Sequence, residues 1–222
     1  LKIQLIQKDF CFQSRNYSFL IPTFDTSNIF SCEFDKDIYM IFGNQRSLQY
    51  LAGIMLLAAE NKDKIIYLTN MQKNLPEHLH RFSQHTNNNE IVLLHHSLQL
   101  NISAWKNLKH KLNKLKGNMK SFIFNPRKFT NLDYNNYKHF NFSENKDKIL
   151  IRCKYNTLFL IGSKMVFEYA SGTFEPLSRT GASYFLKYKG HDHDHLDILT
   201  NRNQGLCIDF YDQDLWDKQA VK

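Results

Sequence analysis

The sequence predicts an α+β protein, with an α/β N-terminal lobe of about four mostly parallel strands and flanking helices, followed by an antiparallel β-meander lobe. Three observations predict this. Short apolar runs alternate with one long helix-period stretch before residue 125. Strand-like segments separated by short turns crowd the chain after residue 148. Between them, Arg127 to Lys148 is rich in Asn, Lys, Tyr and Phe without periodicity, as a long connecting loop would be. This places residues 1–147 in the first lobe and 148–222 in the second, an arrangement equally compatible with one continuous domain.

The first lobe opens with strand-like Lys2 to Gln7 and Tyr17 to Ile21, an edge hairpin that Pro22 stops. Asp37 to Phe42 is a compact apolar strand, and Gly43 to Ser47 turns the chain into a helix running from Leu48 to Glu60. Lys64 to Leu68 and Glu90 to His95 read as further buried strands. Strand, helix and strand at this spacing imply a parallel βαβ unit. Pro76 to Ser83 forms a short helix, and Gln84 to Asn89 a polar loop. Ser103 caps a helix that carries Trp105, Leu108, Leu112 and Leu115 on one side and ends before Gly117. Met119 to Phe124 is a strand that Pro126 terminates.

In the second lobe, Ile149 to Lys154, Thr157 to Ile161, Lys164 to Ala170, Ala182 to Lys189, His195 to Thr200 and Leu206 to Asp212 are expected as strands. Tyr155-Asn156 and Gly162-Ser163 serve as turns between them. No internal repeat of useful length stands out in the sequence.

The chain has 222 residues, 42% of them hydrophobic, enough to bury a sizeable core. Lys and Arg outnumber Asp and Glu by 29 to 21, and the formal charge of +8 favours RNA or another polyanion as partner. Cys11, Cys32, Cys153 and Cys207 lie far apart and form no Cys-x-x-Cys pair, so neither a zinc ribbon nor a dense disulfide scaffold is indicated. Tyr50 to Ala59, the longest strongly apolar segment, is too short to span a bilayer. A soluble protein, cytoplasmic or organellar with reduced thiols, is expected.

Four groups of residues are candidates for function. Asn44, Arg46 and Ser47 stand at a helix start, where backbone N–H groups and the helix dipole favour phosphate. Gly43 is the one glycine of that turn, however, and no G-x-G-x-x-G or Walker pattern accompanies it. The stretch LAGIMLLAAE lacks the carboxylates of the homing-endonuclease LAGLIDADG motif, with Leu56 and Ala58 in their places, and that family is excluded. The second group is cationic: Lys106, Lys109, Lys111, Lys114, Lys116, Lys120, Arg127 and Lys128, followed by the aromatics Phe129, Tyr134, Tyr137, Phe140 and Phe142. Cations tracking phosphates beside rings that stack on bases are the means by which single-stranded RNA is bound.

The third group is the run from Gly190 to Asp197, GHDHDHLD. Alternation in Leu196/Ile198 and Leu206/Ile208/Phe210 predicts a hairpin in which Leu196 opposes Phe210 and Asp197 opposes Asp209. His193, His195, Asp197 and Asp209 then share one face, with Asp192 and Asp194 on the other. Neighbouring residues on a strand face lie about 6.5 to 7 Å apart, so members of this set could share a divalent transition metal that activates water. The spacing is one residue short of the metallo-β-lactamase H-x-H-x-D-H signature. Fourth, His195 could act as a general base oriented by Asp209 or Asp212, with Cys32 as nucleophile, or Ser47, for which no base is evident.

The reading that follows is a basic, non-catalytic RNA- or polyanion-binding or assembly protein. The alternative is a metal-assisted phosphodiesterase or nuclease on the His/Asp cluster, and a further one a nucleotide-sugar glycosyltransferase-like lobe. Whether the protein is an enzyme stays open at this point.

Overall fold

The computed structural model describes residues 1–83, 85–130, 132, 148–188, 192–196, 200 and 203–220. Strands β1 (Lys2–Phe12) and β2 (Arg15–Pro22) form a hairpin around Gln13 and Ser14, whose φ values of 50° and 62° are those of a two-residue type I′ turn. Strands β3 (Ile29–Asp35) and β4 (Ile38–Gly43) form a second hairpin. Helix α1 (Gln45–Glu60) follows and is capped by Asn44, whose Oδ1 accepts the Ser47 N–H at 2.9 Å. Then come β5 (Ile65–Leu68), β6 (Glu90–His95), α2 (Trp105–Asn113) and β7 (Asn118–Ile123). A hairpin of β8 (Leu150–Cys153) and β9 (Thr157–Gly162) leads into α3 (Lys164–Tyr188), and β10 (His193–His195), β11 (Gly205–Phe210) and α4 (Gln213–Ala220) complete the order. Among the described residues no helix is long and apolar enough to cross a membrane.

The strands make two mixed sheets, one of order β7-β1-β2-β5-β6-β9-β8 and one of order β10-β11-β4-β3. Helices α1 and α3 pack against each other, and their apolar sides join residues from both sheets in one core, including Ile41, Leu51, Met55, Leu93, Leu160, Phe167, Phe174 and Ile208. A second cluster fills the space between the larger sheet and α2, with Phe19, Tyr67, Val92, Leu94 and Phe159 around Trp105. The Trp105 indole donates to Thr157 Oγ1 at 3.0 Å, so its buried N–H is satisfied. A third cluster places Leu75 and Leu79 against Phe30, Cys32, Met40 and Phe42 of the smaller sheet.

Several expectations are corrected by this arrangement. β4 and β5 lie in different sheets, β5 and β6 are antiparallel, and β7 pairs antiparallel with β1. The strand, helix and strand are real, but the helix crosses from one sheet to the other, so β4, α1 and β5 do not form the expected parallel βαβ unit; the strand that β5 pairs with in parallel is β2. The first hairpin sits second and third from the sheet edge, with β7 outermost. Residues 164–188 are a single helix, and the region after 148 is therefore not a β meander. The aromatic and β-branched residues there have modest helix propensity, and Gly172, Pro176 and Gly181 oppose a helix further. Burial decides instead: Val166, Phe167, Ala170, Phe174, Leu177, Gly181 and Phe185 recur at helical spacing and are all buried. β8 and β9 join the same sheet as strands from the first 123 residues, through the parallel β6–β9 ladder.

Gly172 makes a contact that tests this packing. A Cβ there would lie 2.0 Å from the backbone oxygen of Phe129, which runs across the helix. Gly172→Ala is expected to destabilise by about 1–3 kcal/mol, as overpacking of a filled site does. Thermal unfolding followed by circular dichroism should show a midpoint several degrees lower, and an unchanged midpoint would mean that the approach is not this close.

Candidate functional site

Burial of Trp105, Leu108 and Leu112 fixes the rotation of α2 and turns its lysines outward. They have different surroundings. Lys109 pairs with Glu90, and Lys111 donates to the Cys11 carbonyl at 2.6 Å while its ammonium lies 5.6 Å from the Phe10 ring centre. Lys106 stands 4.6 Å from the ring centre of Tyr155, and Lys154 stands 5.2 Å from the same ring. Lys154 also donates to Ser103 Oγ at 3.1 Å. Lys114, Lys116 and Lys120 are exposed. Arg127 is exposed but reaches the buried Glu175 carboxylate at 3.3 Å beside Arg179, so it is engaged in an ion pair within the protein, while Lys128 is exposed. Tyr134, Tyr137, Phe140 and Phe142 lie outside the described residues.

Two adjoining hollows open beside Tyr155. One, of about 390 Å³, is lined by Trp105, Lys106, Lys109, Tyr155 and Asn156. The other, of about 370 Å³, shares Lys109, Tyr155 and Asn156 and adds Gln72, Lys73, Asn74, Asn87, Asn88 and Glu90, of which Asn88 turns its amide into the fold, onto Ser31, Ile29 and Gln72. Tyr155 and Asn156 have φ values of 56° and 53°, and Lys154 and Thr157 exchange backbone hydrogen bonds of 3.0 and 3.1 Å across them. This is a two-residue type I′ turn, which holds the phenol ring at the surface within reach of two ammonium groups. The sequence marks Tyr155-Asn156 only as a turn. That Lys73, Lys106 and Lys154 gather around it depends on strand pairing between distant segments.

At the start of α1, Ser47 is buried and its N–H is taken by the Asn44 cap, while Arg46 lies over Tyr50 at 5.7 Å and is exposed. One donor that a phosphate would use is thus engaged within the fold. Asp25, whose carboxyl is held below its ordinary range chiefly by hydrogen bonding to Ser27, also senses the charge of Arg46.

The β10–β11 hairpin brings together much of the His/Asp run. His193 opposes Asp209, Asp194 opposes Ile208, and His195 opposes Cys207. The Leu196 N–H donates to Leu206 O at 2.8 Å, so Leu196 faces Leu206 rather than Phe210. The expected register is therefore off by four residues. An even slip preserves the faces, and His193, His195 and Asp209 remain on one side as expected. Cys207 belongs to the same face, and its Sγ lies 3.1 Å from His195 Nδ1. Its position two residues before Asp209 is the sequence signal for that placement. Asp197 lies outside the described residues.

Asp209 is 1% exposed, and burial pushes its carboxyl up to about 8, with the nearby Asp192 acting in the same direction and Arg81 against it. Asp192, assigned to the opposite face by alternation, lies just ahead of β10 and accepts the Thr180 hydroxyl at 3.0 Å. The His193 and His195 ring centres are 5.1 Å apart. Among the described residues no three His, Cys, Asp or Glu side chains are grouped closely enough to hold one metal ion. Cys32 is buried on β3 and its thiol is pushed up to about 12, so it is protonated at neutral pH and does not serve as the nucleophile considered for it. Asp212 accepts the Leu215 N–H at 3.2 Å at the start of α4.

The raised Asp209 carboxyl predicts a pH dependence. From about pH 4 to about pH 8 the folded chain keeps a proton that the unfolded chain releases, so stability falls as pH rises through this window. The slope is at most about 1.4 kcal/mol per pH unit. Asp209→Asn removes it: urea midpoints at about pH 5 and about pH 8 should differ less in the variant than in the parent. Equal differences in both would assign the dependence to other groups.

Comparison with protein-family models, with curated proteins and with solved structures finds no match to this chain.

Proposed function

We propose that the protein is a non-catalytic binder of single-stranded RNA, engaging it through the basic hollows around Tyr155. The observation that carries this reading is the exposed Tyr155 ring close to the Lys106 and Lys154 ammonium groups, in the lining shared by both hollows. A base can stack on such a ring while the ammonium groups and Lys73 take adjacent phosphates, and the exposed amides of Gln72, Asn74 and Asn87 offer donors and acceptors to base edges. The excess of 29 basic over 21 acidic residues adds a long-range attraction for any polyanion.

A second reading, a metal-assisted phosphodiesterase, rests on His193 facing Asp209 across the hairpin with His195 beside them. It requires these groups to close around an ion, and elemental analysis of protein prepared without a His-affinity step should then find one transition metal per chain.

Fluorescence anisotropy with a labelled single-stranded oligoribonucleotide tests the first reading. Tyr155→Ala should weaken binding roughly 5- to 150-fold, the range of one lost base stack. Lys106→Glu with Lys154→Glu should weaken it further and flatten its salt dependence. The triple variant Lys109→Glu, Lys111→Glu, Lys114→Glu should cost less, because Lys109 and Lys111 are already engaged within the protein. Unchanged affinity in the Tyr155 and Lys106/Lys154 variants contradicts the proposal.

A further inference from the structure

We infer that the protein is two copies of one ββαββ unit fused in a single chain, each lending a hairpin to the other's sheet, and that the β10–β11 face is where the copies have diverged. The first copy is β3-β4-α1-β5-β6 and the second β8-β9-α3-β10-β11. The smaller sheet runs β10-β11-β4-β3, and within the larger one the order β5-β6-β9-β8 repeats it with the copies interchanged. Each ladder keeps its sense: β3–β4 and β8–β9 are antiparallel, β4–β11 and β9–β6 parallel, and β11–β10 and β6–β5 antiparallel.

The registers agree residue by residue. Gly43 ends β4 and pairs with Phe210, while Gly162 ends β9 and pairs with His95. Counting back from these partners equates Asp209 with Leu94 and Cys207 with Val92. Their antiparallel partners then correspond without adjustment: His193 faces Asp209 as Ile65 faces Leu94, and His195 faces Cys207 as Tyr67 faces Val92. Side-chain amides just ahead of β6 and β11 clamp equivalent strands. Asn88 accepts the Ser31 N–H at 2.7 Å and donates to Ile29 O at 3.2 Å, and Gln204 accepts the Ile151 N–H at 3.2 Å and donates to Ile151 O at 2.9 Å. In this alignment Tyr50 and Gly53 of α1 fall on Tyr169 and Gly172 of α3. A segment from outside the unit passes close to each of those glycines, Leu1 and Ile3 at Gly53 and Phe129 at Gly172.

The difference between the copies is as informative as the likeness. Ile65, Tyr67, Val92 and Leu94 form a dry face beneath Trp105 of α2. The matching positions of the second copy carry His193, His195, Cys207 and Asp209, with both imidazoles exposed. The architecture therefore does not require these four polar groups, and the hairpin is a site added to a fold that accepts apolar residues there.

A strand graft tests this. The variant Leu206→Ile, Cys207→Val, Ile208→Leu, Asp209→Leu gives β11 the residues of Ile91 to Leu94, and Asp209→Leu alone makes the central exchange. Equivalence predicts the parental circular dichroism spectrum with one cooperative transition, and a melting temperature above the parent's in at least one of the two variants. If both melt below the parent, or lose cooperative unfolding, the positions are not equivalent and the inference fails.

Discussion

Every other feature depends on one constraint: neither half of the chain can finish a sheet by itself. The parallel ladders β4–β11 and β6–β9 each join a strand from before residue 100 to one from after residue 150. Strands β4 and β9, central to these contacts, are buried along nearly their whole length, as strands covered on both faces are. The α1–α3 contact lies in the same core, so helix packing and strand pairing stabilise one arrangement rather than two. Gly43 and Gly162 stand where each of those strands gives way to its helix.

The basic hollow belongs to the same seam. Lys73, Asn87, Asn88 and Glu90 come from before β6 or its first residue, whereas Tyr155 and Asn156 come from the β8–β9 turn. The Glu90 N–H donates to Asn156 O at 3.0 Å and joins the two sides. A ligand in this place would therefore touch both halves of the chain, and its affinity would depend on the pairing that builds the larger sheet. The His/Asp hairpin lies on the other sheet, so the two candidate sites are supported by separate ladders.

Local structure was legible in the sequence wherever it depended on local chemistry. The strands ending at Gly43 and at His95, the helix before Glu60, the Trp105 helix and the Tyr155-Asn156 turn all appear close to their expected bounds. The 25-residue helix α3 was not legible, because its aromatic, glycine and proline content resembles strands and turns and only burial against α1 overrides that. Strand partners were equally hidden. The spacing β4, α1, β5 is the same for a crossover within one sheet as for a crossover between two. In the site, period-two alternation placed His193, His195 and Asp209 on one face despite the wrong register, but it passed over Cys207 and Tyr155. The duplication escaped notice because its aligned strands and helices share few identities beyond two glycines and a tyrosine, and strand register rather than sequence reveals it.

Native-state hydrogen exchange of the intact chain tests the central claim most directly. If each half completes the other's sheet, the slowest amides of β4, β6, β9 and β11 should exchange through one global opening, with a common free energy and a common dependence on denaturant. Two distinct opening free energies, one for strands before residue 130 and one for strands after residue 148, would contradict the exchange of hairpins and show two separately folded lobes.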